Sequence, residues 1–469
     1  MKKRFSRSPL IGQFRQVQID ALDIEAQGIG RLSNPEDDSS GKVVFVQGAL
    51  PGEEVRYEIT QDKSRFQKGL VREILHAAVY RCEPRCSWYG NCGGCTMQHI
   101  DSRAQIAIKQ RVLEDNLEHI GKVKPQTMMQ PIRGPEWEYR YRARLSVVNR
   151  SIKKGTILVG FHEPQNRYVS DMTSCEVLPQ MWSDLLIPLR NLVMSLSVRD
   201  RVPQIELALG EPSAPGAQAI TAMVLRHLLP LSAADEHCLK EFAILHGLWI
   251  WTQAQGVESV QPFYPLSGEL FYTLPEFLIR IPFVPTDFTQ VNHAMNRVLV
   301  GRAIRLLDAP KNARVLDLFC GIGNFSLPLG RVVGEVLGLE GSHSLCLRAR
   351  DNAVVNQLEK KVHFVEQNLF EVTPKDIASW GTAPYWIIDP PRDGAFAIVN
   401  ALAQIAQSDS DDPKLPKRIV YISCNPATLA RDAGVLVNEA GYQLSQVGIM
   451  NMFAHTSHVE SIALFIRFD

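Results

Sequence analysis

Cys424 lies where a buried strand is predicted to end and a helix to begin. The apolar run Ile419–Ile422 precedes it, and Pro426 follows it closely. Ligands of open α/β sheets bind at the carboxyl ends of strands, and a helix N-terminus can lower the pKa of a thiol placed there. We therefore interpret Cys424 as a candidate nucleophile. A buried structural cysteine is the alternative.

A carboxylate preceded by two imidazoles stands before the last predicted strand. The residues are His455, His458 and Glu460. Glu460 is a candidate general base, which would need to lie within about 3 Å of the proton that it removes, or reach it through one water. A solvated loop carboxylate is the alternative. We interpret the two histidines as local hydrogen-bond partners rather than metal ligands.

A glycine turn after an earlier apolar strand indicates a nucleoside cofactor. Gly321 and Gly323 follow Val315–Phe319, and Glu340 stands at the tip of the next strand. Glycines let backbone N–H groups approach a ligand, and an acid at that tip can bind ribose hydroxyls. Ser326 replaces the third glycine of the dinucleotide fingerprint, which counts against NAD. A tight packing turn is the alternative.

A thiol, a base and a methyl-donating cofactor together suit methylation of a uracil ring. Carbon 5 of uracil is a poor nucleophile, but attack of a thiolate on carbon 6 makes it nucleophilic. After transfer, a base must remove the proton on carbon 5 before the thiol can leave. Such chemistry requires the target uracil to be flipped out of its stack of neighbouring bases.

Four of the nine cysteines lie between Cys82 and Cys95. In a long chain without a secretion signal, such a cluster indicates metal ligation rather than disulfides. Cys86, Cys92 and Cys95 are spaced C-x5-C-x2-C, and Cys175 is the natural fourth thiolate. Three close thiolates and one remote one suit an iron–sulfur cluster. All-thiolate zinc, and Cys82 in place of Cys175, are the alternatives.

Three regions must position these groups. Short alternating runs broken by glycines predict a small OB-like β-barrel in residues 1–80. Residues 81–285 have a mixed α+β pattern, hold the cysteines and include an amphipathic helix over 101–121. Residues 286–469 alternate helices with apolar strands, which predicts an α/β, Rossmann-like domain with a doubly wound parallel sheet.

Charge is balanced overall but uneven along the chain. Fifty basic and fifty acidic residues give a net charge of zero. The tail holds Lys2, Lys3, Arg4 and Arg7 without an acid, while Asp409, Asp411 and Asp412 form an acidic loop. In Trp137–Arg144 aromatic and cationic residues alternate, which predicts arginines on one strand face for RNA phosphates, or else an ordinary polar face.

Several classes of protein are excluded by pattern. No apolar run approaches the roughly 18 residues needed to span a bilayer, and the basic tail has no apolar segment of the kind found in signal peptides. The sequence predicts a cytoplasmic protein with no membrane partner. No obligate protein partner is evident, and we expect a monomer.

Four motifs resemble those of the RNA uracil-5-methyltransferases, which use S-adenosylmethionine. They are DLFCGIGNFSLPL at Asp317–Leu329, IIDPPRDG at Ile387–Gly394, YISCNPATLARD at Tyr421–Asp432 and HTSHVESIALF at His455–Phe465. A further stretch, DFTQVN at Asp287–Asn292, is similar to the F-x-Q-x-N segment of the family. The resemblance is close from about residue 290 onward and looser before it. Ala454 replaces a proline usual in the family, which affects loop stiffness alone.

The resemblance implies roles for individual residues. Cys424 would be the nucleophile, Glu460 the base and Phe288 a ring that stacks on the target base. The residues expected around the cofactor are Gln290, Phe319, Asn324, Glu340, Asn368 and Asp389.

One branch of this family carries the same cysteine spacing for a [4Fe–4S] cluster, ligated here by Cys86, Cys92, Cys95 and Cys175. It also carries an N-terminal TRAM barrel, which residues 1–80 resemble. The combination is typical of enzymes that methylate 23S ribosomal RNA, and transfer-RNA relatives are expected to lack both features. The resemblance also implies that helix 101–121 packs on the catalytic domain.

Three other functions remain open. The first is a transfer-RNA uracil-5-methyltransferase. The second is a ribosome-binding protein whose methyltransferase fold is catalytically silent, which the presence of Cys424 and Glu460 disfavours. The third is an iron–sulfur redox protein with a nucleotide cofactor.

Overall fold

The computed structural model describes residues 9–32, 41–150, 155–164, 166–212, 214, 216–408 and 415–468. The basic tail and the acidic loop noted above lie outside these residues. The chain forms two compact units. The first comprises the described part of Met1–Gly90 with residues 95–112 and 455–458, and the second comprises the remainder. No helix in the described ranges is long and apolar enough to cross a membrane.

The first unit contains the predicted barrel. Its five strands close in the order β1-β2-β3-β5-β4. They are β1 (Phe14–Leu22), β2 (Gln27–Arg31), β3 (Val43–Gln47), β4 (Glu54–Asp62) and β5 (Phe66–His76). Strand β4 shows the alternation that the sequence predicted, since Val55, Tyr57 and Ile59 are buried and Arg56 is exposed. Period-two burial is the expected pattern for a strand with one face on a core. The barrel prediction is confirmed.

Residues 95–112 and 455–458 meet within the first unit. The backbone N–H groups of Thr96 and Met97 donate to the His455 carbonyl oxygen at 2.9 and 3.0 Å. The buried Gln105 side chain, on α1 (Ser102–Asn116), accepts from the His455 N–H at 3.0 Å. Its amide also donates to the carbonyls of Met97 and Ile100. These bonds satisfy backbone groups that would otherwise be buried without partners.

The second unit begins with a mixed α+β region. A six-stranded sheet has the order β12-β11-β10-β9-β7-β8, beside a separate β13–β14 hairpin. Its strands are β7 (Arg142–Arg150), β8 (Thr156–Gly160), β9 (Gln204–Gly210), β10 (Ile220–Arg226), β11 (Leu248–Gln253) and β12 (Val260–Tyr264). The hairpin joins β13 (Leu270–Leu274) to β14 (Ile279–Phe283), and the helices are α2 (Gln180–Ser183), α3 (Leu186–Ser195) and α4 (Ala233–His246).

The rest of the second unit is an α/β layer around an eight-stranded sheet of order β17-β16-β15-β18-β19-β21-β20-β6. Strands β15 (Arg314–Leu318), β16 (Glu335–Glu340), β17 (Val362–Glu366), β18 (Tyr385–Ile388) and β19 (Arg418–Ser423) are parallel to one another. The sheet is completed by β21 (Glu460–Ile466), which is antiparallel to both of its neighbours, β19 and β20 (Gln443–Met450). The edge strand β6 (Thr127–Met128) pairs with β20 in parallel. The helices are α5 (His293–Leu307), α6 (Ser326–Val332), α7 (His343–Val355), α8 (Pro374–Ser379), α9 (Phe396–Ala406) and α10 (Pro426–Asn438).

The end of the predicted 101–121 helix packs on α10. Helix α1 continues as a π-helical turn, Leu117–Gly121. A Cβ atom added to Gly121 would lie 2.5 Å from the carbonyl oxygen of Ala430, and one added to Gly434 would lie 2.9 Å from the carbonyl oxygen of Gly121. Two glycines therefore allow the backbones to approach closely, at the helix that follows Cys424.

The substitution Gly121→Ala tests this contact. Backbone cannot yield as a side chain can, so we expect a loss of about 1–3 kcal/mol of stability from overpacking. The loss would appear as a lower midpoint of thermal unfolding. Gly341→Ala is the matched control, because its Cβ would meet only the Gln367 carbonyl oxygen at 3.7 Å. Equal midpoints for the two variants would contradict the packing described.

Candidate active site

Strand register brings Cys424 and Glu460 together. In the antiparallel pair β19–β21, Ser423 lies opposite Ser461. Cys424 follows Ser423 and Glu460 precedes Ser461, so both lie at the same end of this ladder, and Glu460 is paired with Met450 of β20. Glu460 is 3% exposed and Cys424 is half-buried. The predicted nucleophile and base thus lie at the same edge of the sheet.

Asp389 is a second carboxylic acid at this edge, after Glu460. It follows β18, whose last residue, Ile388, is paired with Tyr421 of β19. Its N–H donates to the Leu318 carbonyl oxygen at the end of β15. Asp389 therefore lies at the carboxyl ends of parallel strands, which is where open α/β sheets bind ligands.

Burial shifts these two carboxyl groups towards their protonated forms. It raises the pKa of Asp389 to about 7. Burial and the charge of Asp389 raise the pKa of Glu460 well above its usual value. Taking a carboxylate out of water disfavours its charged form, and a neighbouring carboxylate adds to that effect.

The thiol differs from the expectation drawn from its place before a helix. Burial, then Glu460 and Asp389, raise the pKa of Cys424 to about 11, and Arg392 lowers it by less. A helix N-terminus contributes at most about 2 kcal/mol to a partly buried charge. Desolvation and the two carboxylates outweigh it, so the prediction of a lowered thiol pKa is wrong for this structure.

The turn that carries Cys424 is tied to the loop after Asp389. Asn425 caps α10 by accepting from the Ala427 N–H at 3.1 Å. Its amide and the hydroxyl of Thr428 both donate to the Arg392 carbonyl oxygen, at 3.0 and 3.2 Å. The backbone that holds Asp389 and the backbone that holds Cys424 are therefore fixed to each other.

A buried carboxylate that the sequence reasoning did not single out strengthens this connection. Asp432 of α10 is fully buried. It accepts hydrogen bonds from the Tyr421 hydroxyl at 2.6 Å and the Ala395 N–H at 2.8 Å. A signal was present in the sequence, because Asp432 stands in the apolar stripe of Leu429, Ala433 and Leu436 on its helix.

The glycine turn borders open space and an acid. Phe319, Gly321 and Gly323 have φ angles of 64°, 54° and 96°. A Cβ atom added to Gly321 would meet nothing within 4 Å. Glu340 accepts from the N–H groups of Gly321 and Ser342 at 3.1 and 2.9 Å, and each carboxylate oxygen keeps a further lone pair for a hydroxyl. These features fit the ribose of a nucleoside cofactor.

The Asp317 carboxyl group, unlike that of Glu340, is enclosed within the protein. It is fully buried, and it accepts a hydrogen bond from the Ser326 hydroxyl at 2.5 Å. Burial raises the pKa of Asp317 to about 7. The serine that replaces the third glycine therefore joins the strand carboxylate to the first turn of α6.

The remaining predicted cofactor residues surround the same strand ends. Asn324 forms reciprocal amide hydrogen bonds with Asn296, and its oxygen also accepts from the Tyr272 hydroxyl at 3.0 Å. Asn368 is exposed after β17, and its side chain accepts from the Phe370 N–H. The rings of Phe319 and Phe370 lie 5.6 Å apart, centre to centre.

The loop before α5 carries Phe288 and Gln290. The Phe288 side chain is 68% exposed, and Gln290 is half-buried. The roles of Phe288, Gln290 and the other residues expected around the cofactor stay predictions.

The four predicted cluster ligands form no disulfide in the described part of the chain, and they belong to both units. Cys86 and Cys95 belong to the first unit, and Cys92 and Cys175 to the second. Their donor chemistry fits an iron–sulfur cluster. Within the described ranges, however, no group of three or more His, Cys, Asp or Glu residues is arranged to hold a metal ion. The ligand set therefore stays a prediction.

The alternative ligand, Cys82, is engaged elsewhere. Its thiol donates to the Gln98 carbonyl oxygen at 3.4 Å, and its N–H donates to the His99 carbonyl oxygen at 3.0 Å. Burial, chiefly, raises the pKa of Cys82.

Comparison with known proteins agrees with this geometry. The family described as tRNA (Uracil-5-)-methyltransferase matches residues 278–468, and the TRAM domain matches residues 10–71. The 23S rRNA (uracil(1939)-C(5))-methyltransferase of Polynucleobacter necessarius is 57% identical over 461 residues, covering 96% of this chain and 97% of that protein. The enzyme of the same name from Cupriavidus pinatubonensis is 57% identical over 451 residues, covering 96% and 95%.

A solved structure shares the fold across nearly the whole chain. The tRNA (uracil-54, C5)-methyltransferase of Pyrococcus abyssi, in complex with S-adenosyl-L-homocysteine, has a TM-score of 0.70 and 20% identity. The match covers 96% of this chain and 100% of that one. A match of that extent includes most of the barrel, so the expectation that transfer-RNA relatives lack the barrel is wrong. From its relatives and its motifs, the chain belongs to the family of S-adenosylmethionine-dependent RNA uracil-5-methyltransferases.

Proposed function

We propose that the protein methylates carbon 5 of a uridine in 23S ribosomal RNA, with Cys424 as covalent nucleophile and Glu460 as base, in the cytoplasm. The observation that supports the mechanism is the β19–β21 register, which brings Cys424 and the buried Glu460 to the same end of the paired strands. The choice of RNA is supported by relatives of that name at 57% identity over almost the full chain.

Each of the two site residues has a distinct step. The Cys424 thiolate adds to carbon 6, and the electron pair of the 5,6 double bond moves to make carbon 5 nucleophilic. Bound S-adenosylmethionine would supply an electrophilic methyl group, which carbon 5 accepts as the sulfur–methyl bond breaks and S-adenosylhomocysteine is left. Glu460 then removes the proton from carbon 5, the carbon–sulfur bond breaks and the thiolate is released. The proton leaves Glu460 for solvent, which balances the reaction.

Electrostatics requires the site to change its protonation before reaction. In this structure the thiol and Glu460 both favour their neutral forms, whereas the mechanism uses both as anions. A positive charge within about 4–6 Å favours the charged form of an acid. Arg392 lowers the pKa of Cys424, and a positively charged methyl donor bound at this edge would lower it further.

The covalent step is tested with RNA that contains 5-fluorouridine. Fluorine leaves carbon 5 without a removable proton, so a stable adduct should form between the RNA and Cys424 in the presence of cofactor. Mass spectrometry of the digested protein locates the bond. We expect the adduct with a 23S ribosomal RNA fragment, none with transfer RNA, and none in Cys424→Ser.

Two controls sharpen this experiment. Cys238→Ser removes a half-buried thiol of α4 and should leave the adduct intact. Glu460→Gln with ordinary RNA should accumulate the adduct, because loss of a general base slows elimination by about 10²–10⁴-fold. An adduct on another cysteine would refute the assignment, and an adduct with transfer RNA alone would favour the transfer-RNA function.

The pKa of the thiol tests the electrostatic picture independently of RNA. Glu460→Gln should lower the pKa of Cys424 from about 11, Asp389→Asn should lower it less, and Arg392→Gln should raise it. The measurement is the pH dependence of alkylation at Cys424, followed by mass spectrometry. Because the thiolate is the reactive form, a lowered pKa shifts the rise in rate to lower pH. An unchanged profile in Glu460→Gln would contradict the proposed proximity.

We further propose that Cys86, Cys92, Cys95 and Cys175 hold a [4Fe–4S] cluster with a structural and RNA-binding role. The support is the ligand spacing and the thiolate chemistry of the set. No step of the methylation reaction passes through this group.

Metal analysis decides between the alternatives. Protein purified without oxygen should contain iron and acid-labile sulfide in equal amounts, and Cys175→Ser should lose both. Cys82→Ser is the discriminating variant, since it keeps the iron if Cys175 is the fourth ligand. Bound zinc without sulfide would replace the proposal by the zinc alternative.

A further inference from the structure

The segment between β14 and α5 carries two residues for which the proposed function has a use. Residues 284–291 hold the exposed ring of Phe288 and the half-buried amide of Gln290. An exposed aromatic side chain can stack on an unstacked base, but only if the backbone beneath it is held in place. The contacts of this segment therefore decide how the ring and the amide are presented.

Arg142, at the start of β7, is bonded to the backbone of this segment. Its Nη2 donates to the Thr286 carbonyl oxygen at 3.0 Å, and its Nη1 donates to the carbonyl oxygen of Asp287. A third contact is an ion pair with Glu206 at 3.8 Å. The Arg142 side chain is only 17% exposed.

This position differs from the expectation that arginines of this strand bind phosphates. Arg144, two residues further along, is 64% exposed and lies on the same face of the strand. Arg142 is instead turned inward, towards two consecutive peptide carbonyls. A planar guanidinium can serve two acceptors at once, which the single ammonium of lysine does less well.

The segment is held at its other points as well. Tyr141 donates its N–H to the Val291 carbonyl oxygen at 2.8 Å. The Asp287 carboxylate accepts from the Val284 N–H at 2.9 Å and forms an ion pair with Arg348 of α7 at 3.3 Å. Phe288 and Gln290 thus lie between carbonyls that are bonded to residues 141 and 142 on either side.

We propose that Arg142 is a positioning residue, which holds residues 286–291 so that Gln290 meets the cofactor and Phe288 meets the target base. The proposal rests on the proposed function for what those two residues bind. It assigns Arg142 to the cofactor and base site rather than to the RNA backbone, although the residue lies in the mixed α+β region of the chain. The guanidinium supplies the hydrogen-bond donors for two consecutive backbone carbonyls of the segment, those of Thr286 and Asp287.

The test compares Arg142→Met with Arg297→Met. Arg297 is a matched control, because it also bonds a carbonyl oxygen, that of Thr273 at 3.1 Å, and a glutamate, Glu211 at 2.6 Å. A purely structural role predicts similar losses for the two variants. The affinity for S-adenosylhomocysteine is measured by calorimetry, with the thermal midpoint as a check on folding.

We expect Arg142→Met to weaken S-adenosylhomocysteine binding by about tenfold, as for loss of a charged hydrogen-bond donor, and Arg297→Met to leave it unchanged. Arg142→Lys should recover part of the loss and is the variant to use if the methionine variant does not fold. KM for S-adenosylmethionine should rise in parallel. Wild-type affinity in both Arg142 variants, with normal folding, would overturn the proposal.

Failure of the proposed function would look different. Wild-type protein that binds S-adenosylhomocysteine but forms no adduct with 5-fluorouridine RNA would refute the covalent mechanism. The affinity difference between Arg142→Met and Arg297→Met would still report on the segment.

Discussion

The antiparallel pairing of β19 with β21 is the constraint on which the site depends. Side chains alternate along a strand, so a shift of one residue would turn Glu460 away from Cys424. Each of the two strands is bonded on both sides, β19 to β18 and β21 to β20. The register is therefore fixed from four strands. An antiparallel strand inserted beside a parallel set brings the end of one strand and the start of another to the same edge.

Burial at that edge disfavours the charged forms of its acidic groups. It raises the pKa of Asp389, Glu460 and Cys424, and either carboxyl group raises the thiol pKa further when it is ionised. A raised pKa makes the Cys424 thiol less reactive towards alkylation or oxidation, since reactivity follows the thiolate. The same burial makes the site sensitive to any positive charge that enters it, because electrostatic interactions are stronger where water is excluded.

The sequence predicted the parts of the site that depend on local pattern. The apolar runs located the ends of β15, β16, β18 and β19, and hence the edge where Glu340, Asp389 and Cys424 lie. It did not predict the thiol pKa, because the Glu460 and Asp389 charges come from residues distant in the chain. The hydrogen bonds of Arg142 and Asp432 could not be predicted for the same reason, because their partners, Thr286 and Ala395, are distant in the chain. Asp317 was placed correctly on its strand, but its bond to Ser326 needed the turn geometry.

Four residues of the last motif belong to a different unit from the residues on either side of them. Residues 455–458 belong to the first unit, whereas Ala454 and Val459 on either side belong to the second. The backbone of His455 is bonded to Thr96, Met97 and Gln105, and the chain reaches Glu460 five residues later. The last motif is therefore divided between the two units, although it is continuous in sequence. A protein that lacks residues 96, 97 and 105 would leave the N–H and the carbonyl oxygen of His455 without these hydrogen-bond partners.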